Sequence, residues 1–153
     1  MAAETLQVIL ALATACAGVF FGAAVYINFV EHPARVSCGT ELAVREFKPS
    51  YERAAVMQGA LAVLGCLIGL LAAWLLHDAT TAVAAVLLGA VVPFTLIVIF
   101  PTNKRLLDPA LDPKSAQAAE LLARWNRLHA VRSGLSGIAF ALFLVRLASH
   151  AAI

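Results

Sequence analysis

Charged side chains are scarce in this sequence of 153 residues. Only 13% of the residues are charged, whereas 62% are hydrophobic, and the mean hydropathy is +0.89. The 11 lysines and arginines are nearly balanced by 9 aspartates and glutamates, so the chain has no basic excess with which to bind nucleic acid. The composition is that of a membrane protein. We therefore expect the protein to be surrounded by membrane lipid.

Cysteines and cofactor motifs are also few. The sequence has three cysteines and no C-x-x-C motif, which argues against a dithiol redox centre. We expect Cys16, Cys38 and Cys66 to have packing roles or none. The sequence has no flavin or nicotinamide fingerprint. Any reaction is therefore expected to use no cofactor, or a divalent metal.

Three long segments contain no charged side chain: Thr5 to Val30, Ala54 to His77 and Ala79 to Asn103. Each exceeds the roughly 20 residues that an α-helix needs to cross a bilayer. A fourth, shorter apolar run ends near Arg146, whose long side chain can reach the far surface. Because backbone amides in lipid need internal partners, the sequence predicts an all-α, integral membrane four-helix up-down bundle. The prediction is a single domain, 1–153, with spans at about 5–30, 54–77, 79–101 and 121–149.

The basic residues predict the orientation. All of them except Arg146 lie on the same side of the predicted membrane, in or next to the two connections at about 31–53 and 102–120. The positive-inside rule then makes both connections cytoplasmic loops and places both termini on the non-cytoplasmic side, in a bacterial inner membrane. The first apolar run follows Glu4 without any lysine or arginine, which favours a retained anchor over a cleaved signal peptide.

Glycines recur at the spacing of close helix contacts. Gly18 and Gly22 form a G-x-x-x-G motif in the first span, and Gly65 and Gly69 form another in the second. We expect both motifs to be seams within one bundle, with a homo-oligomer surface as the alternative. Pro93 should kink the third span.

A polar stripe opens the fourth helix. At about 100° per residue its members fall on one face, which turns aromatic with depth. They are Trp125, Asn126, His129, Arg132, Ser133 and Ser136, followed by Phe140 and Phe143. This pattern predicts one wall of a pocket, and the alternative is an amphipathic face turned to the cytosol.

Glu31 and His32 end the first span, just before Pro33. If the proline unwinds the last helical turn, both side chains can face one site and act as a proton acceptor or as metal ligands. The alternative is a solvated, idle pair. We expect Glu31 and His32 to share one cytoplasm-facing pocket with Asn103, His129 and Arg132, since ionisable groups near the membrane find polar partners.

Three stretches carry a family resemblance: "GVFFGAAVYINFVEHPAR", "PFTLIVIFPTNKRL" and "LLARWNRLHAVRSGLS". In this order they resemble the anthrone oxygenase-like family of small four-helix membrane proteins. The resemblance implies a four-helix fold and an oxidation of a lipophilic aromatic substrate, anthrone-like or quinol-like, with dioxygen.

The resemblance also suggests roles for individual residues. His129 would be the base, with Glu31 or His32 setting its protonation. Substrate-binding groups would be Asn103, Asn126 and Arg132 as polar partners, with Tyr26, Trp125 and Phe140 as flat walls. A metal-assisted variant would use His32, His129 and Glu31 as ligands. The alternative function is a non-catalytic protein that binds a hydrophobic small molecule or a metal, or that acts as a scaffold for a partner.

The orientation can be tested at Cys38, which lies in the predicted cytoplasmic loop at 31–53. In sealed cells, a membrane-impermeant thiol reagent should leave Cys38 unmodified, while tags on both termini should be reached from outside. Modification of Cys38 from outside, in a variant with Cys16 and Cys66 replaced by alanine, would show that the orientation is the opposite of the predicted one.

Overall fold

A computed structural model of the protein describes residues 3–151. Within this range the ordered elements are helices. The six α-helices are α1 Ala3–Tyr26, α2 His32–Ser37, α3 Thr40–Leu76, α4 Ala79–Phe94, α5 Phe100–Leu106 and α6 Ala116–Ala151. A first π turn, Ile27–Glu31, joins α1 to α2, and a second π turn, Thr95–Ile99, joins α4 to α5.

Four continuous helical segments in the described chain are long and apolar enough to cross a membrane. They are Glu4–Ser37, Thr40–Leu76, Ala79–Leu106 and Ala116–His150. The prediction of an all-α protein with four membrane-length helices is thus confirmed, and the helices indicate an integral membrane protein.

The segment 31–53, predicted as a loop, is helical except at a turn around Cys38 and Gly39. Gly39 has a φ of 104°, a conformation that favours glycine, and it allows α2 and α3 to meet at an angle. Pro49, a residue type that commonly breaks helices, lies inside α3. One proline removes only one N–H from a helix of 37 residues, and packed membrane helices tolerate this loss.

Each π turn lies just before a proline. Pro33 is at the start of α2, after the first π turn, and Pro101 is at the start of α5, after the second. A proline ring clashes with the carbonyl four residues earlier, and that carbonyl lies within the preceding π turn in both cases. The wider π turn accommodates the ring and lets the helix continue. The unwinding expected at Pro33 is therefore replaced by a π turn.

Small side chains allow the four long segments to pack closely. Helix α1 packs against α3 and α6, and α4 packs against the same two helices. Their common core is largely alanine with a few large side chains, and its fully buried members include Ala13, Ala17, Ala84, Leu88 and Phe143. A second core cluster surrounds Trp125 and includes Phe47 and Ile99.

The predicted glycine seams are confirmed at three positions and wrong at one. A Cβ atom built at Gly18, Gly65 or Gly69 would lie within 2.8 Å of a neighbouring side chain. At Gly22 it would meet nothing within 4 Å, and Gly22 is exposed. The buried stripe of α1 runs through Ala13, Ala17, Phe20 and Ala24, so Gly22 lies on another face.

Asp78 caps α4 in the tight connection after α3. Its carboxylate accepts a hydrogen bond from the backbone N–H of Thr81 at 2.7 Å and from Arg146 Nε at 2.9 Å. Burial by itself would raise the pKa of Asp78, but the bonds from Thr81 and the charge of Arg146 hold it below its ordinary value. The interaction therefore stabilises the fold at neutral pH, and this contribution is lost as the pH falls through the lowered pKa.

Substituting alanine at two glycines should separate a packed seam from an open face. At Gly69 the new Cβ would lie 2.6 Å from Phe143 Cζ and 2.9 Å from Ala85 Cβ, so Gly69→Ala should destabilise the protein by about 1 to 3 kcal/mol. Gly22→Ala should be neutral or stabilising, because alanine is the better helix former. Thermal unfolding in detergent would measure both changes. Equal effects at the two positions would contradict the packing described above.

Candidate functional site

The first π turn places the side chain of Asn28 at the contact between α1 and α6. Asn28 is only 8% exposed. Its Nδ2 donates to the backbone oxygen of Asn126 at 3.1 Å and to Asn126 Oδ1 at 2.8 Å. Its Oδ1 accepts from Ser133 Oγ at 2.6 Å and lies 2.9 Å from His129 Nδ1. All four contacts join the end of α1 to α6.

These contacts determine the protonation pattern of His129. The backbone oxygen of Asn126 can only accept, so Nδ2 of Asn28 must face it. Oδ1 of Asn28 therefore faces His129, and Nδ1 must carry the hydrogen that it accepts. In the neutral ring Nε2 then bears a lone pair, and it forms no hydrogen bond with the residues that the structure describes. A histidine in this tautomer can act as a base through Nε2.

Trp125 is the aromatic centre of the site. Its ring stacks on His129 with centroids 4.7 Å apart and meets the edge of Phe47 at 5.4 Å. The imidazole of His32 also packs against Trp125, with the two ring centroids 5.5 Å apart. The guanidinium carbon of Arg35 is 6.0 Å from the ring centroid, a cation–π distance. Trp125 thus orients His129 by packing, while Asn28 orients it by hydrogen bonding.

A partly enclosed cavity of about 170 Å³ lies beside Trp125 and His129. Arg132 completes the α6 wall, and α3 supplies another wall. The α3 residues are Phe47, Ser50, Tyr51, Ala54, Ala55, Gln58, Gly59 and Ala62, and α4 with the second π turn adds Val91, Val92, Thr95 and Leu96. An engineered apolar cavity of about 150 Å³ binds benzene, so this cavity can admit one aromatic ring, and the other rings of a fused ligand would extend through its open side.

Arg132 and Gln58 form the polar part of the cavity wall. Arg132 Nη2 donates to Gln58 Oε1 at 2.8 Å, and the guanidinium carbon lies 5.3 Å from the ring centroid of Phe20. None of the ion pairs within residues 3–151 includes Arg132. The cavity therefore carries a positive charge without a carboxylate partner in the described chain.

Glu31 is engaged by Arg35 and not by a histidine. Its Oε1 accepts from Arg35 Nη2 at 2.8 Å and from Ser50 Oγ at 2.9 Å. Arg35 also pairs with Glu46 at 2.8 Å. The predicted metal set of Glu31, His32 and His129 is not assembled, since no three His, Cys, Asp or Glu side chains between residues 3 and 151 are grouped to hold a metal. The physical reason is that Arg35 binds the Glu31 carboxylate, while Asn28 binds His129.

The structure divides the predicted site residues into three groups. Those that line the cavity are Trp125, His129 and Arg132. Those near the lining are His32, which contacts Trp125, Glu31, which binds the lining residue Arg35, and Asn126, which is linked to His129 through Asn28. Those outside it are Tyr26, which is 56% exposed, Phe140, which stacks on Phe21, and Asn103, which is buried but not part of the lining. The predicted pocket is therefore only partly assembled.

Sequence reasoning missed the amides and the α3 wall. Asn28 and Gln58 are buried amides within two largely apolar runs, and the prediction from those runs considered charged residues alone. A buried amide in an apolar run also needs a partner, and this rule could have found both. Arg35, Phe47 and Tyr51 were overlooked because 31–53 was predicted to be a loop outside the membrane.

The fold and the cavity define an all-helical membrane protein with an aromatic-walled site that contains a histidine and an arginine. A family model described as anthrone oxygenase matches residues 47–142, more than half of the chain, and the chain belongs to this family. The match extends from the α3 wall of the cavity through most of α6.

Two curated relatives support the assignment. Anthrone oxygenase ptaC of Pestalotiopsis fici is 42% identical over 72 residues, which cover 40% of this chain and 51% of the relative. Anthrone oxygenase tpcL of Aspergillus fumigatus is 46% identical over 54 residues, covering 33% of this chain and 34% of the relative. The aligned region thus spans half of the first relative's length and a third of the second's. No solved structure matches the chain.

Replacement of Asn28 should uncouple α1 from α6. Asn28→Leu leaves Ser133 and His129 Nδ1 without their buried acceptor, at about 1 to 3 kcal/mol for each unsatisfied group. We expect a loss of roughly 2 kcal/mol or more in the free energy of unfolding, and a shift of His129 away from the Nδ1–H tautomer in ¹⁵N NMR spectra. Ser133→Ala, which removes one donor, should have the smaller effect and keep the tautomer. An unchanged tautomer in Asn28→Leu would contradict the role of Asn28.

Proposed function

We propose that this protein is a membrane-embedded oxygenase that oxidises a lipophilic aromatic substrate, anthrone-like or quinol-like, with dioxygen. Two features of His129 together carry the proposal. Its tautomer leaves Nε2 free to act as a base, and its ring lines an aromatic cavity. Family membership and the names of the two relatives support the substrate class.

The first step would be proton removal. An anthrone has a methylene between two aromatic rings, and loss of its proton gives a delocalised carbanion whose charge rests mainly on the ketone oxygen. His129 Nε2 would accept this proton, and Arg132 would stabilise the enolate as its counter-charge. Trp125 and Phe47 would hold the flat rings by stacking and edge contacts.

Dioxygen would then react at the deprotonated carbon. A carbon–oxygen bond forms, two electrons pass from the enolate to dioxygen, and the terminal oxygen takes up a proton to give a hydroperoxide. Removal of the second proton from the same carbon breaks the oxygen–oxygen bond and gives a carbonyl and water. The protonated His129 would supply a proton to the peroxide and later act as base again. One oxygen atom of dioxygen enters the quinone and the other leaves as water.

The surrounding polar residues would position this machinery. Asn28, which Asn126 and Ser133 hold in turn, would keep His129 in the reactive tautomer. Glu31 would act through Arg35, which it holds near Trp125. In this proposal Asn28 takes the role that the sequence suggested for Glu31 or His32.

We also propose the up-down arrangement, with both termini on the non-cytoplasmic side. Its support is that all lysines and arginines except Arg146 fall on one side of the membrane in this arrangement. The bacterial inner membrane stays a prediction from sequence, and the two named relatives come from fungi.

The proposed reaction depends on His129. In purified protein supplied with an anthrone, His129→Ala and His129→Gln should slow quinone formation by about 10² to 10⁴, the usual contribution of a general base. Quinone absorbance and oxygen uptake would measure the rate, and ¹⁸O₂ should place one labelled oxygen atom in each quinone.

Arg124→Ala is the matched control, because Arg124 is an exposed cation on the same helix and does not line the cavity. It should retain the wild-type rate. Wild-type rates in folded His129 variants would exclude His129 as the base. Tight binding of the anthrone without oxygen uptake would favour the non-catalytic alternative.

A further inference from the structure

Gln58 lines the cavity with a donor group that has no partner. The side chain is 2% exposed, and Nε2 makes no hydrogen bond with any residue that the structure describes. Its orientation is fixed, because a guanidinium can only donate and Arg132 therefore requires Oε1. Both hydrogens of Nε2 are thus left for something else. A buried donor of this kind is unfavourable unless it is satisfied.

Arg132, on the α6 wall, has the same deficit. Its Nε is buried and unpaired, and its charge is not matched by a carboxylate within residues 3–151. A cation removed from water and left without a counter-charge is costly. Gln58 and Arg132 together therefore present free donors and a positive charge, but no free acceptor, to one cavity.

We propose that Gln58 and Arg132 form a binding site for a single anionic oxygen, the phenolate or enolate oxygen of a flat, apolar ring ligand. Gln58 makes the site selective, because its amide supplies hydrogen bonds that a hydrocarbon ring cannot accept. The inference concerns the same cavity as the proposed oxygenase function and extends it to the charge state of the ligand, but it requires binding only and no turnover.

A fatty-acid carboxylate would offer similar oxygen chemistry. The walls distinguish the two ligands, because the donors lie among rings. Phe20 lies against Arg132, and Trp125 and Phe47 line the same cavity. Ring faces and edges favour a planar aromatic over a flexible alkyl chain, which would also lose conformational entropy on binding. The aromatic phenolate is therefore the better fit.

The experiment compares 2-hydroxyanthracene, anthracene and palmitate as ligands of the full-length protein in lipid nanodiscs. None of the three has the reactive methylene of an anthrone, so binding is measured apart from oxidation. The hydroxy compound should bind at least tenfold more tightly than anthracene and more tightly than palmitate. Its bound absorption spectrum should be that of the phenolate at a pH where the free compound is neutral.

Two variants of Gln58 test its part in the site. Gln58→Leu should weaken binding of 2-hydroxyanthracene about tenfold or more, since a hydrogen bond to a charged group is lost, and should leave anthracene binding unchanged. Gln58→Glu places a carboxylate beside Arg132 and should abolish the phenolate spectrum even if Gln58→Leu folds poorly. Met57→Leu is the control, because Met57 is exposed, adjacent in sequence and not part of the cavity lining.

The inference is overturned if anthracene or palmitate binds as tightly as the hydroxy compound, if the bound spectrum is that of the neutral phenol, or if both Gln58 variants behave as wild type. Its failure differs from that of the oxygenase function. Phenolate binding without anthrone oxidation would retain the inference and reject the function, whereas oxidation by a protein with no phenolate preference would do the reverse.

Discussion

The four hydrogen bonds of the Asn28 amide are the interaction on which the site depends. In a lipid environment a buried polar group must find its partners within the protein, and Asn28 satisfies this rule for itself, for Ser133 and for one nitrogen of His129. The same bonds fix the end of α1 against α6. Fold and chemistry are therefore coupled, because the histidine is oriented only when the two helices are correctly packed.

The π turns explain how a helix that contains a proline can present such an amide. In a regular α-helix the ring of Pro33 would clash with the carbonyl of Phe29, and the helix would bend or break. The π turn at Ile27–Glu31 relieves that clash and contains Asn28. Thr95–Ile99 repeats the arrangement before Pro101, and Thr95 lies in the cavity wall. Both π turns thus contribute a residue to the site or to its support.

Helix formation was predictable, but the full site was not. Long runs without charge identify membrane helices because charge in lipid is costly, and the α6 stripe identified Trp125, His129 and Arg132. The α3 wall was missed because Pro49 and the charges of 31–53 resemble a loop, although α3 spans this segment. Gly22 followed the small-residue spacing, yet spacing does not say which helix face meets a neighbour. The hydrogen bonds of Asn28 depend on a π turn, and periodicity at 100° per residue does not anticipate it.

Small residues on the α3 wall determine how much space the cavity offers a ligand. Ala54, Ala55, Gly59 and Ala62 border the cavity, and a Cβ atom added at Gly59 would meet nothing within 4 Å. Larger side chains at these positions would reduce the space for a ligand while Asn28, His129 and Arg132 remain unchanged in sequence. Members of one family can therefore diverge in the dimensions of the molecules they accept while His129 and Arg132 stay the same, since the small residues lie on α3 and these two residues lie on α6.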